Sequence, residues 1–467
     1  HSKLGKEVRG DPSAASGIIT ATRTDSGSAQ AKTKSSATID RSVFRHMGRP
    51  PTLLRTASPA FGQLSLLSSN ISSIAIASVL GWLSACSSPT ATKGSCFESL
   101  VSAKAPASPQ VIWQNLGTPL FDGSGISDVV TVPFPSGSSD ALFRVSSSSG
   151  PLCFQVHEAK DGSGSAWVSP PVSGSDYGNY CQSCPQRVSV GVQSALYLLP
   201  SGEPLPQSTS QLGIRLALRD CTTFLPTSSA AVSVLVEGKK ESIPAPQNDL
   251  QPGQIPIQFI IGSGSIFHDQ AAVFPDTLAA AVDVANTLFA GGNLRIVPVR
   301  IRRIAGEDPL TVQRGDHAAL DRLGMQAFAC DSGSVSRDDA IPVVLAGCLQ
   351  VRDPLLLQNT EVDGYTPHIP DGFSSPSTMH GVFLKGRSCS ASAPPVDLGP
   401  QVLGKLLAHE LGHYLGLYHS AESDGTMDQI ADTSSDNIMN FRPLQIGSPK
   451  FTSGQFQIMR RHPAIAW

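Results

Sequence analysis

Between Leu403 and Ser420 the chain reads Leu-Gly-Lys-Leu-Leu-Ala-His-Glu-Leu-Gly-His-Tyr-Leu-Gly-Leu-Tyr-His-Ser, and no other stretch restricts the fold as much. Residues four apart share one face of an α-helix, so His409 and His413 can aim two imidazoles at one point. Gly416 then ends the helix, because glycine enters the left-handed region at little cost. The turn lets His419 return as a third imidazole. Three nitrogen ligands suit Zn2+ and leave its fourth position open to water, the mark of a catalytic rather than a structural site. Glu410, beside the first ligand, is placed to take a proton from that water. A buried amphipathic helix without metal would account for the leucines but not for three histidines at this spacing.

His409-Glu410-x-x-His413-x-x-Gly416-x-x-His419 fills every fixed position of the long zinc signature of the metzincin peptidases, and the chain resembles that family. After it, Asp436-Asn437-Ile438-Met439-Asn440-Phe441 resembles the Met-turn, the apolar floor beneath the three imidazoles, with Met439 as its methionine. The intervening Asp424-Gly-Thr-Met-Asp428-Gln-Ile-Ala-Asp432-Thr433, and the wording around the histidines, look like the pappalysin-like branch. The resemblance covers roughly the last 215 residues. It implies a mixed sheet with a zinc helix and Met-turn, and hydrolysis of peptide bonds in proteins by a zinc-held water with Glu410 as general base. It also implies a protein or peptide substrate bound as an extended strand. Calcium near Asp424, Asp428 and Asp432 is a further expectation, since hard carboxylate oxygens suit it, although the EF-hand spacing is absent and a solvated acidic loop is the plain alternative. One position departs from several family members: Phe441 stands two residues after Met439, where they carry a tyrosine.

Upstream, residues 1–46 are polar and irregular and read as unstructured or as an over-extended reading frame. From Met47 to Cys86 the chain has the parts of a secretory signal: Arg49 and Arg55, an apolar run from Ile71 to Leu83, and small residues at its end. Leu83-Ser84-Ala85-Cys86 resembles the bacterial lipoprotein box, which implies lipidation of Cys86 and contact with a membrane only through acyl chains. Of nine cysteines, eight remain without Cys86, an even number that suits disulfides in an oxidising compartment. Five of the eight precede residue 250 and three follow it, so either one bridge crosses between the halves or at least two thiols are free. A net charge of −3 with 15% charged residues gives no basis for binding nucleic acid.

Residues 87–110, rich in Ser, Pro, Ala and Thr, read as a flexible tether. From 111 to 240, short alternating apolar segments broken by Gly, Ser and Pro predict an all-β, sandwich-like accessory domain. Whether it is a pro-domain, a substrate-binding module or a spacer stays open. The proline-bearing stretch 241–254 reads as a linker, and 255–467 as the α/β, metzincin-like domain. Within it the patterns predict strands at Ile255–Gly262, Leu294–Ile304, Ile341–Leu349 and Thr378–Lys385, a helix after a capping Asp276, and a closing helix over Thr452–Arg461. Thr378–Lys385, as the last strand, is expected to be the substrate-binding edge. His268, His317, His368, His380 and His462 share no ligand spacing and are expected to face solvent or be satisfied locally. The sum is an exported zinc endopeptidase, either of broad reach or dedicated to one partner substrate. The alternative is a non-catalytic zinc-containing surface lipoprotein that binds a partner through its β-domain.

Overall fold

A computed structural model describes residues 97–101, 111–134, 140–148, 152–170, 187–202, 210–228, 232–240, 252–270, 274–305, 308–313, 318–328, 340–353, 358–372, 380–389, 397–423 and 425–467. The expected signal region with Cys86, and residues 1–46, lie outside them, as does Asp424.

The centre of the α/β half is a six-stranded sheet in the order Phe97–Leu100, Leu294–Ile304, Gly253–Gly262, Ile341–Ala346, Val382–Lys385, Gly364–Tyr365. The four inner strands run parallel to one another, and the two outermost pair antiparallel. Every residue of Ile341–Ala346 and Val382–Lys385 is buried, as central parallel strands covered on both faces require. Ile255, Ile257, Phe259 and Ile261 face one core with the helices Asp276–Phe289 and Pro400–Tyr414. Ile260, Val344 and Phe383 face the other way, onto helix Ala318–Phe328 and a small sheet of Leu310–Gln313, Leu349–Asp353 and Gln358–Glu361.

The two long helices lie close because Gly404 has no side chain. A methyl group there would sit 2.5 Å from the Ala281 carbonyl oxygen. Pro400 opens its helix at the first turn, where its missing N–H is not needed.

Among the described residues, a nine-stranded antiparallel sheet fills the region before residue 240. Its order is Trp113–Gly117, Val234–Lys239, Ala141–Ser147, Ser194–Leu199, Gly191–Val192, Cys153–Asp161, Gln211–Arg219, Val130–Pro133, with Ala166–Val168 paired to Cys153–Asp161. The all-β character matches the alternating pattern, but the hydrogen bonding follows one continuous path rather than two separate sheets. Strand Val130–Pro133 comes back against Trp113–Gly117 and Val234–Lys239, so the sheet curls on itself. This region and the α/β half belong to one compact unit. Leu142, Leu196 and Leu198 enter the same core as the helix Pro400–Tyr414.

Four expectations are corrected. Part of the stretch read as a tether, Phe97–Leu100, is a strand on the edge of the six-stranded sheet, paired with Arg300–Arg303. The segment Ile341–Leu349 divides, because the chain leaves the large sheet after Ala346 and starts a strand of the small sheet at Leu349. Asp276 is the first helical residue and makes no capping bond; the cap position is Pro275. Finally, Val382–Lys385 is not the sheet edge. Gly364–Tyr365 pairs antiparallel with it and takes the outermost place.

Two disulfides tie the described chain, Cys153–Cys221 in the β-region and Cys348–Cys389 in the α/β half. Both stay within their own half, and such bridges fit an oxidising, exported setting. Cys96, Cys181, Cys184 and Cys330 lie outside the described residues. Among those described, no helix is long and apolar enough to cross a membrane.

Candidate metal centre

The helix Pro400–Tyr414 carries His409 and His413 one turn apart on a buried face, 4% and 6% exposed. It stops as the sequence predicts. Gly416 adopts φ +107°, its N–H donates to the His413 carbonyl, and the Leu417 N–H donates back to the Gly412 carbonyl. These paired bonds close the helix end and turn the chain toward His419. The three histidines form the metal-sized group among the described residues, with one ligand atom of each within 4.8 Å of the others.

Each imidazole is oriented by its Nδ1. That of His409 donates to the Ile438 carbonyl at 2.7 Å, and that of His413 to the Leu417 carbonyl at 2.7 Å. His419 Nδ1 donates to Glu422 Oε2 at 3.0 Å. With the protons so placed, every Nε2 presents a lone pair. His409 and His413 Nε2 face each other at 3.1 Å, an approach that two lone pairs favour only around a shared cation. Burial pushes His409 down to about 3 and His413 well below the usual imidazole range, so both are neutral, as metal ligands must be. The residues therefore fit a divalent metal with nitrogen preference, and zinc suits them by ligand chemistry.

Glu410 is 5% exposed, and burial pushes its carboxyl up to about 8, with a bond from Thr366 opposing. A divalent cation nearby acts in the opposite direction. Thr366 Oγ1 donates to Glu410 Oε2 at 2.8 Å and lies 3.1 Å from the Glu410 carbonyl. A side chain at Gly364 would meet Glu410 Oε1 at 2.4 Å, so the end strand of the sheet presses directly on this carboxylate.

Met439 is fully buried, and its sulfur fills the space beside Gly412, where a Cβ would come within 2.5 Å of it. The turn holding it is pinned by its own bonds. Asn437 Oδ1 accepts from the Met439 N–H, and the Met439 carbonyl accepts from the Ser420 N–H. One turn thus supplies the acceptor for His409, the sulfur under the helix and an anchor next to His419. Phe441 has no hydroxyl and lies beside the Arg442 guanidinium.

In the acidic run the described carboxylates have local partners; burial pushes the Asp428 carboxyl up, and Asp432 lies near enough for its charge to push the same way. Asp428 accepts from Thr433 Oγ1, and Asp432 accepts from Thr452 Oγ1 and the Gly454 N–H, which fastens the capped helix Ser453–Met459. Asp436 accepts from Ser434.

The remaining described histidines have near partners, as expected: His268 Nδ1 bonds Asp269, His368 Nδ1 bonds the Pro370 carbonyl, and His462 Nδ1 accepts from the Ala464 N–H. His368 and His462 are buried and pushed down to about 4 by desolvation, while His380 pairs with fully buried Asp371 at 2.5 Å. His317 lies outside the described residues. Sequence reasoning missed Thr366, Glu422 and Arg187. Only Glu422, an acid three residues after the third histidine, left a local signal.

No protein-family profile matches the chain, and no curated protein matches it. Among solved structures, metalloproteinase-II from Bacteroides fragilis aligns at 13% identity with a TM-score of 0.29, over 55% of this chain and 63% of that one. The chain thus spans less than two thirds of that structure.

Proposed function

We propose that the chain is a zinc-dependent endopeptidase, of the metzincin type that its sequence resembles. The observation that carries the reading is the group formed by His409, His413 and His419, with Nδ1 atoms committed and Nε2 atoms converging, beside the buried carboxylate of Glu410. Bound zinc would supply a Lewis acid and lower the pKa of water at its open position.

The chain's own groups do the rest. Glu410, with one oxygen held by Thr366, receives a proton from water and returns it to the leaving amine. An extended peptide would lie alongside Gly364–Tyr365, the terminal strand of the sheet, next to the Glu410 carboxylate. The substrate is accordingly a protein or peptide. Lipid attachment at Cys86 would hold the enzyme at a membrane surface. A non-catalytic zinc protein would have no use for a general base, and the retained, positioned Glu410 weighs against that alternative.

The test is hydrolysis of a diverse peptide library by wild type and by Glu410→Ala. The expected loss is roughly 10²- to 10⁴-fold, with metal retained. Equal cleavage by the two proteins would sink the reading.

A further inference from the structure

His419 is held differently from the other two histidines. It lies beyond the helix, its side chain is 26% exposed, and its Nδ1 partner is a side chain, Glu422. That carboxylate is itself 8% exposed and needs a cation. The cation comes from the β-region. Arg187, 3% exposed at its side chain, donates from Nη1 to Glu422 Oε1 at 3.0 Å and to the His419 carbonyl at 3.3 Å. Its Nη2 donates to the Met427 carbonyl at 3.0 Å, so one guanidinium grips both ends of the loop that carries the third histidine. It also stands 5.9 Å from the Tyr418 ring.

The arginine is in turn fixed by its own region. Its N–H donates to Ser201 Oγ, and the neighbouring Val188 carbonyl accepts from Gln155. Ser189 bonds both the N–H and the carbonyl of Ile369 in the α/β half.

We infer that Arg187 is a positioning residue for the metal: through Glu422 it sets the orientation and the free nitrogen of His419, so the metal centre is complete only with the β-region in place. A flat guanidinium suits the task because it presents several donors in fixed directions to one carboxylate and two carbonyls. The β-region is then part of the working site rather than a segment to be removed for activation. This inference rests on the zinc reading above.

The test is zinc affinity by chelator competition, with the visible spectrum of the cobalt(II)-substituted protein as a probe of ligand geometry. The proteins are wild type, Arg187→Met, Arg187→Lys and Glu422→Gln, each as the full chain. Loss of a partner that orients a ligand weakens zinc by roughly 10- to 100-fold, and this is the expectation for Arg187→Met. Its cobalt spectrum should change as well, and Arg187→Lys should recover part of both. If Arg187→Met does not fold, Glu422→Gln decides, with at least a ~10-fold loss supporting the inference. Wild-type zinc affinity and an unchanged cobalt spectrum in the folded variants would overturn it. A wild-type protein that binds no zinc would instead overturn the metal reading on which it depends.

Discussion

The metal centre is built in two ways. His409 and His413 stand on a helix buried against the core, and main-chain carbonyls orient both rings. His419 stands on a loop, oriented by a carboxylate that a distant arginine holds. The first pair cannot shift unless the helix end or the Met439 turn shifts too. The third ligand depends on side chains separated by more than two hundred residues of sequence. One half of the site is therefore set by backbone, the other by contacts that single substitutions can loosen without touching the core.

The largest expected effect sharpens this contrast. His413→Ala removes a ligand from the helix and should abolish stoichiometric zinc, whereas Glu422→Gln should weaken zinc and leave it measurable. Metal content after dialysis against a weak chelator distinguishes them, and equal loss from both would erase the distinction.

A smaller effect concerns Glu410, which belongs to the helix but is steadied from the end strand. Thr366→Val removes a bond to a charged group, a contribution of about 1.5–3 kcal/mol, so hydrolysis should fall roughly 10- to 100-fold at unchanged zinc content. Unchanged hydrolysis would mean that Glu410 needs no support from Thr366.

The last effect is on stability rather than on the metal or on hydrolysis, behind the helix end. His462 Nε2 donates to the Asp371 carbonyl, its Nδ1 accepts from the Ala464 N–H, and the Asp371 N–H bonds the carbonyl of Tyr414. Burial pushes His462 down to about 4. An unfolded histidine titrates near 6.5, so below that pH the unfolded chain takes up a proton that the folded one refuses. The stability is complete above about pH 6.5 and is lost as pH falls toward about 4, by up to ~3 kcal/mol for this group. Denaturant unfolding at pH 7 and pH 4.5 should show a shallower loss for His462→Gln than for wild type. Parallel losses would remove His462 from the acid response.

The same division explains what could be seen in the sequence. The helix with His409, Glu410 and His413, the stop at Gly416, and strand Leu294–Ile304 were legible because their signals are local: helical spacing, a glycine at a turn, branched apolar residues interleaved with arginines. The sheet edge was not, since Gly364–Tyr365 is too short to show any period. The strand Phe97–Leu100 lies in a serine- and proline-rich stretch and exists through its pairing with Arg300–Arg303. Thr366 and Arg187 act across the fold, and no spacing announces a partner that far along the chain.

The most direct test of the central claim is a single preparation assayed for zinc and for peptide hydrolysis, before and after chelation and after zinc is returned. The account predicts one zinc per chain, hydrolysis lost with the metal, and hydrolysis restored with it. Hydrolysis that persists without metal, or a chain that takes up no zinc, would contradict it.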